Sequence, residues 1–521
     1  MAVKVSVTKN AIQARFGGVG FHNADATNYP KMTKRHFDEV VAKTWRELSP
    51  GFSRVWGGAP SWTQAEMDKF AEYYHQMHGL TDTTLYLTGS TRRHYTQEDK
   101  EQYARNVADR LEYLIRDKNL KNIDFYCMSN ELSLDTWGSM FFELETFKEY
   151  HTLLFREFQR RNLPVKLAAT DAAPYSHWQS INWAISNMDD VTGIYCGHHY
   201  VNDWDKEDMD FYKWFSLVCR RKSTAAGARE KRFILGEFGL GCDWQNLNGV
   251  LMDQGRYFDT DEEAEGALML IDMALAALNS GVYAMALWTF NDYPNPRGTE
   301  YRYNKWGLTR WYDEDYSARD MYYCFGLLAK YFKKESKPLS IVSGEYLLRA
   351  GGVANDDGSV SFALNNRGGK ALDVELELNC PLPRPFREYV YDSASVPRND
   401  FADLQPYSDL LAADGGKLAV RIPARSMIML TTDYRESKPA KIKGVSERDG
   451  VVTWEPAADG AHCYYRVFRG EDGGFSPGAK NQVASTVAPS YAIPEKTLAA
   501  PGKAPGVYKV ISVDKWGNAG E

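Results

Sequence analysis

The sequence predicts an α/β chain in which a (β/α)8 TIM barrel is followed by a β-sandwich domain and a second, smaller C-terminal sandwich. Three observations predict it. Through about residue 335, short β-branched or aromatic runs alternate eight times with amphipathic stretches of helical length, as parallel strands joined by crossover helices require. After about residue 336 the helical patterns stop and short alternating runs such as VSFALNN, DVELELN and LAVRIPARSMIMLTTDY take over, separated by Gly, Asp, Asn and Pro turns. Near SKPAKIKG the pattern breaks again, before VVTWEP, CYYRVFRG and GVYKVISVD. The domains are therefore placed at 1–335, 336–435 and 436–521.

Eight strands are read in order: Phe16 to Phe21, Phe52 to Trp56, Thr84 to Leu87, Ile123 to Met128, Val165 to Ala169, Gly193 to Cys196, Phe233 to Gly236 and Tyr283 to Thr289. Helical stretches follow them, including SWTQAEMDKFAEYYHQMHGL with Ser61 as N-cap, TQEDKEQYARNVADRLEYLI from Thr96, and a long apolar stretch closed by Gly281. The competing open, doubly wound sheet normally has fewer strands and often a glycine-rich phosphate turn. FGGVGFHN lacks the GxGxxG spacing.

A chain of 521 residues with 44% hydrophobic and 25% charged residues is an ordinary multi-domain globular protein. Its net charge of −7 carries no basic stripe of the kind nucleic-acid binders show, so nucleic acid is not an expected partner. No run of about 18 apolar residues suggests membrane insertion, and MAVKVSVTKN lacks a secretory h-region. That start leaves a secreted or periplasmic location, with a signal removed, and a cytoplasmic one equally open. Seven dispersed cysteines without a CxxC pair fit neither a disulfide framework nor a zinc site.

In a barrel of this kind chemistry sits where strands end and βα loops begin. Two carboxylates satisfy that condition best: Glu131, after Asn130 in IDFYCMSNEL, and Glu237, between Gly236 and Gly239 in RFILGEFGL. An ionisable group closing a buried strand needs partners or a job, so each alone is equally a structural salt bridge. Further residues are Arg54 in FSRVW on the second strand, His198 and Tyr200 in YCGHHY on the sixth, and Trp288 in ALWTF on the eighth. Arg54 could simply pair with a barrel carboxylate. A metal held by His198 and His199 with Cys196 or His22 is disfavoured, because adjacent strand residues point to opposite faces.

Together these residues resemble the clan A glycoside hydrolases, in which an Asn-Glu pair ends strand four and a second Glu ends strand seven. The independent strand count puts Glu131 on the fourth and Glu237 on the seventh, and the resemblance spans residues 10 to 335. It implies retention through two carboxylates about 5 to 5.5 Å apart. Glu131 would be acid and base, its pKa raised by Glu237, and Glu237 the ionised nucleophile supported by Arg54 and Tyr200. Asn130 would donate to the sugar 2-hydroxyl and Trp288 would stack on a pyranose ring. His22, Asn23, Trp137 and Trp244 are further expected substrate contacts, and Asp171 a candidate for binding sugar hydroxyls. The domain after the barrel resembles the β-domain of families 30, 39 and 51, and the last module resembles fibronectin type III in Trp454 and the run Tyr508 to Asp514.

The expected activity is hydrolysis of a β-linked glycan or oligosaccharide, with a β-glucan favoured; no metal or nucleotide cofactor is called for. A carbohydrate-binding protein with a degenerate barrel and a transglycosylase are the rival readings.

Overall fold

The computed structural model describes residues 2–520 apart from 59–60, 79–81, 90–95, 133–143, 202–210, 241–260, 295–302, 312–315, 380–381, 397–401, 405–409, 458–461 and 495–505. Val3–Ala11 (β1) precedes a closed barrel of eight strands. These are Gly18–His22 (β2), Phe52–Trp56 (β3), Thr84–Thr88 (β4), Ile123–Cys127 (β5), Lys166–Ala172 (β6), Ile194–Val201 (β7), Phe233–Leu240 (β8) and Ala284–Leu287 (β9). All pair in parallel, and β9 closes on β2 through Gly18↔Ala284 to Phe21↔Leu287. That closure excludes the open sheet.

The lumen is a packed layer of Phe52, Tyr86, Phe125, Ala168, Ile194 and Ile234, so nothing passes through the barrel. Its opposite wall is covered by helices whose starts the sequence encodes. Thr96 caps Gln97–Glu112 in a capping box with Asp99. Ahead of Gln64–His78 the cap is Thr63 rather than the expected Ser61, since Glu66 Oε2 accepts from Thr63 N at 2.7 Å and Thr63 Oγ1 accepts from Glu66 N at 3.3 Å. Gly281 lies at φ +79° just after Glu263–Leu278, where a side chain would be strained.

One boundary departs from expectation. β1 leaves the barrel and joins the second domain, parallel to Leu372–Leu378 and antiparallel to Lys337–Ser343. Its Val5 and Val7 enter a core with Phe362, Val374, Leu376 and Ile428, and the strict alternation of VKVSV is what a half-buried strand shows. The resulting eight-stranded sheet uses both faces. Ile428 and Leu430 enter its own core, while Met427 and Met429 on the same strand pack with the barrel helices. The last module is two three-stranded antiparallel sheets sharing a core of Val452, Trp454, Tyr465, Val467 and Val510.

A buried ionic cluster ties the three parts together. Lys43, on the helix Ala42–Leu48, holds Glu47 at 2.7 Å and Asp403 of the second domain at 3.0 Å. Asp403 also accepts from Arg466 of the last module at 3.0 Å, and Tyr464 donates to Glu47 at 3.3 Å. Taking one partner from such a cluster strands the other charges away from water, at a cost of about 3–5 kcal/mol. Lys43→Met is therefore expected to lower the unfolding free energy of the whole chain by that amount, read as a lower urea midpoint; an unchanged midpoint would mean that the cluster does not hold the domains together.

Candidate active site

Strand parity decides which side chains reach the C-terminal mouth. On β7, Ile194, Cys196, His198 and Tyr200 alternate inward, whereas His199 turns outward against Phe211, Trp214 and Phe215. Burial in that apolar setting lowers the His199 pKa to about 4. On β8 strict alternation from Ile234 would send Glu237 to the helical side. The register shifts between Leu235 and Glu237, and this bulge turns the carboxylate inward opposite His198. Gly236 makes the turn feasible: a Cβ there would lie 2.4 Å from Cys196 Sγ and 3.2 Å from His198 Nε2. β6 has a second shift, between Thr170 and Ala172, with Asp171 at φ +60°. Glu131 follows β5 at φ +54°. Side chains other than glycine seldom occupy this region, and it clusters at functional sites.

The hub is Arg54, fully buried on β3. Its Nη2 donates to Asp171 Oδ2 at 2.5 Å and to Asn130 Oδ1 at 2.6 Å, and its Nη1 donates to Glu237 Oε1 and lies 2.7 Å from His22 Nδ1. Asp171 Oδ1 accepts from Tyr86 at 2.9 Å, Cys196 at 2.9 Å and His198 Nε2 at 3.0 Å. His198 Nδ1 then lies 3.3 Å from Glu131 Oε1 and 3.5 Å from Glu237 Oε2. Tyr200 donates to Glu237 Oε2 at 2.9 Å. One oxygen of Glu131 and one of Glu237 are within 4.8 Å of each other. Glu237 is 4% exposed and Glu131 24%, so the first is held in protein and the second reaches the mouth.

Charge follows from these contacts. Burial opposes ionisation of Glu237, but the positive charges of Arg54 and His198 outweigh it and hold its pKa at about 2. Burial likewise opposes a charged His198, yet Asp171 and Glu237 outweigh it and raise the pKa to about 9. His22 is the opposite case, lowered to about 4 chiefly by burial. His22 Nδ1 lies between Arg54 Nη1, at 2.7 Å, and Glu237 Oε1, at 3.0 Å, so the neutral ring either accepts from the guanidinium or donates to the carboxylate. His22 Nε2 and Trp288 Nε1 are buried and have no hydrogen-bond partner among the described residues. Trp56 and Trp288 flank the His22 ring at 4.7 and 4.6 Å between centroids.

Of the residues expected from sequence, Glu131, Glu237, Asn130, Arg54, His198, Tyr200, His22 and Trp288 meet at this mouth. Asn23 does not: it is fully buried and its Oδ1 accepts from Tyr73 at 3.1 Å. Trp137 and Trp244 lie outside the described residues. Asp171, expected to meet sugar hydroxyls, is instead enclosed beneath Arg54 and His198. Tyr86 was missed because in TLYLT it reads as one more core aromatic. Two groups of donor atoms, Asp171–Cys196–His198 and Glu131–His198–Glu237, are close enough to surround a cation. In both, the carboxylates already neutralise Arg54 and His198, which leaves little net negative charge to attract one.

No family model matches the sequence, and no curated protein matches it significantly. Solved structures do match its fold. The family 30 xylanase C catalytic domain from Talaromyces cellulolyticus aligns over 82% of this chain and 99% of its own, at 13% identity and TM-score 0.57. An endo-β-1,6-glucanase aligns over 83% and 94%, at 12% identity and TM-score 0.59. The family 51 arabinofuranosidase from Xanthomonas axonopodis pv. citri aligns over 82% and 99%, at 13% identity and TM-score 0.55. The shared fold is a TIM barrel with a β-sandwich.

Replacing Asp171 by Asn removes a negative charge that keeps His198 protonated. The His198 pKa, followed by nitrogen NMR of labelled imidazole, should fall from about 9 by at least about one unit. No change would mean that Glu237 alone holds the proton.

Proposed function

We propose that this chain hydrolyses β-linked glycans with retention of configuration, through a covalent glycosyl-enzyme. The observation that carries the reading is the approach of Glu131 and Glu237 within 4.8 Å at the C-terminal mouth of the barrel. So close an approach suits direct attack by one carboxylate, whereas inversion needs roughly 6.5 to 9.5 Å to admit a water.

Glu237 is the nucleophile. Kept ionised by Arg54 and His198 and oriented by the Tyr200 hydroxyl, it attacks the anomeric carbon as the bond to the leaving oxygen breaks. Glu131, more exposed and facing the mouth, gives its proton to that oxygen. In the second step Glu131 takes a proton from water, the resulting hydroxide attacks the anomeric carbon, and Glu237 leaves as a carboxylate. Asn130 accepts from Arg54 through its oxygen, which leaves its amide hydrogens to bind the 2-hydroxyl of the sugar. Trp288 Nε1 offers a further donor and His22 Nε2 a further polar atom, and Trp56 and Trp288 an apolar wall for the C–H face of a pyranose. Within this class the reading commits to a β-glucan, in keeping with the fold shared with an endo-β-1,6-glucanase.

Glu237→Ala should lower kcat by about four orders of magnitude or more. Azide should restore turnover of an aryl β-glucoside with inverted product; loss without rescue contradicts the nucleophile assignment. Glu131→Ala should spare the first step for aryl glycosides whose leaving group needs no proton. Equal loss on activated and unactivated substrates contradicts the acid assignment. Wild-type turnover of xylan with β-glucans untouched would replace the substrate and keep the mechanism.

A further inference from the structure

A second cavity, of about 960 Å³, opens at the other end of the barrel, between the helix Phe211–Gly227, the start of β8, the turn after Leu278 and the second domain's Ser340–Val342. Phe233 opens β8 and Gly281 precedes β9, so the cavity lies at the N-terminal ends of the strands, opposite the carboxylate pair. Its lining carries four cations, Lys213, Arg220, Lys231 and Arg232, and no carboxylate. In a chain of net charge −7 that is a local reversal of sign. Lys231 is committed to the carbonyls of Asp189 and Thr192, and Lys213 lies over the Tyr346 ring. Arg220 and Arg232 are exposed and form no salt bridge with any described residue.

The uncharged lining is incomplete in a particular way. The amide nitrogens of Gln13 and Asn279 are anchored, to Val282 O at 2.9 Å and to Ala350 O at 2.8 Å. Their oxygens, Gln13 Oε1 and Asn279 Oδ1, and the hydroxyl of Ser223 are buried without a hydrogen-bond partner among the described residues. Unsatisfied acceptors of this kind are uncommon and costly in a folded chain. A sugar presents several hydroxyl donors to them over the span of the cavity, more than a single small anion can reach. Leu217 and Val342, 48% and 62% exposed, line the same cavity and present aliphatic surface.

We infer that this cavity binds an acidic oligosaccharide, its carboxylates against Arg220 and Arg232 and its hydroxyls toward Gln13, Ser223 and Asn279. It would hold the chain on a uronate-bearing glycan while leaving the barrel mouth free. The inference stands apart from the hydrolase reading, since none of these residues belongs to that mouth.

Titration calorimetry of the full chain with trigalacturonate, cellotriose and inorganic phosphate tests it. Trigalacturonate should bind, with affinity falling at least about tenfold between 20 and 200 mM salt and at least about tenfold in the Arg220→Glu/Arg232→Glu variant. Arg220→Gln/Arg232→Gln gives the same direction with less disturbance of the surface, and turnover of a soluble aryl glycoside should be unchanged in both. No binding of trigalacturonate, undiminished binding in the double variants, or equal binding of cellotriose or phosphate would each overturn it.

Discussion

A guanidinium sealed inside a barrel must be surrounded by groups that accept its hydrogen bonds and balance its charge, because water is not there to do so. Arg54 imposes that requirement here. It draws Asp171 and Glu237 inward from β6 and β8, fixes the face of Asn130, and lies against His22 Nδ1. The two carboxylates in turn hold His198 charged, and His198 faces Glu131. Six strands thus present their side chains at one mouth, and their charges are interdependent. Removing any member changes the protonation of the others.

The same dependence explains which parts of the site can be read from sequence. Glu131, Glu237 and Tyr200 close apolar runs and Arg54 interrupts one, and a polar residue in such a place stands out against a pattern that otherwise says buried. The eight strands of the barrel were legible for the same reason, since parallel strands covered on both faces are continuous apolar runs. Asp171 was noticed but misplaced. Its inward direction depends on a register shift and a left-handed backbone that no alternation pattern encodes, and Glu237 faces the lumen only because of the shift at Gly236. Bulges flip parity, so the sequence can indicate that a residue ends a strand without indicating the side it faces. β1 was hidden differently. VKVSVTKNA reads as a strand, but its partners lie more than 300 residues away, and proximity to the barrel in sequence is no guide to pairing.

The appended domains are joined to the barrel by strong local physics rather than by linkers alone. Lys43 and Glu47 on an early helix meet Asp403 and Arg466, so each domain contributes a charge that the others neutralise. The first strand of the chain crosses into the second domain and its alternate face packs there. This construction creates the seam in which the basic cavity lies, because Gln13, on the segment between β1 and the barrel, and Ser340 to Val342 both border it.

The central claim is that Glu237 forms the covalent bond to the sugar. Incubation with a panel of 2-deoxy-2-fluoro-β-glycosyl fluorides, followed by peptide mass spectrometry, tests it directly. A fluoroglycosyl adduct on the peptide containing Glu237, absent after Glu237→Gln, is the predicted result; turnover of a β-glycan by the wild type with the adduct on another carboxylate would contradict it.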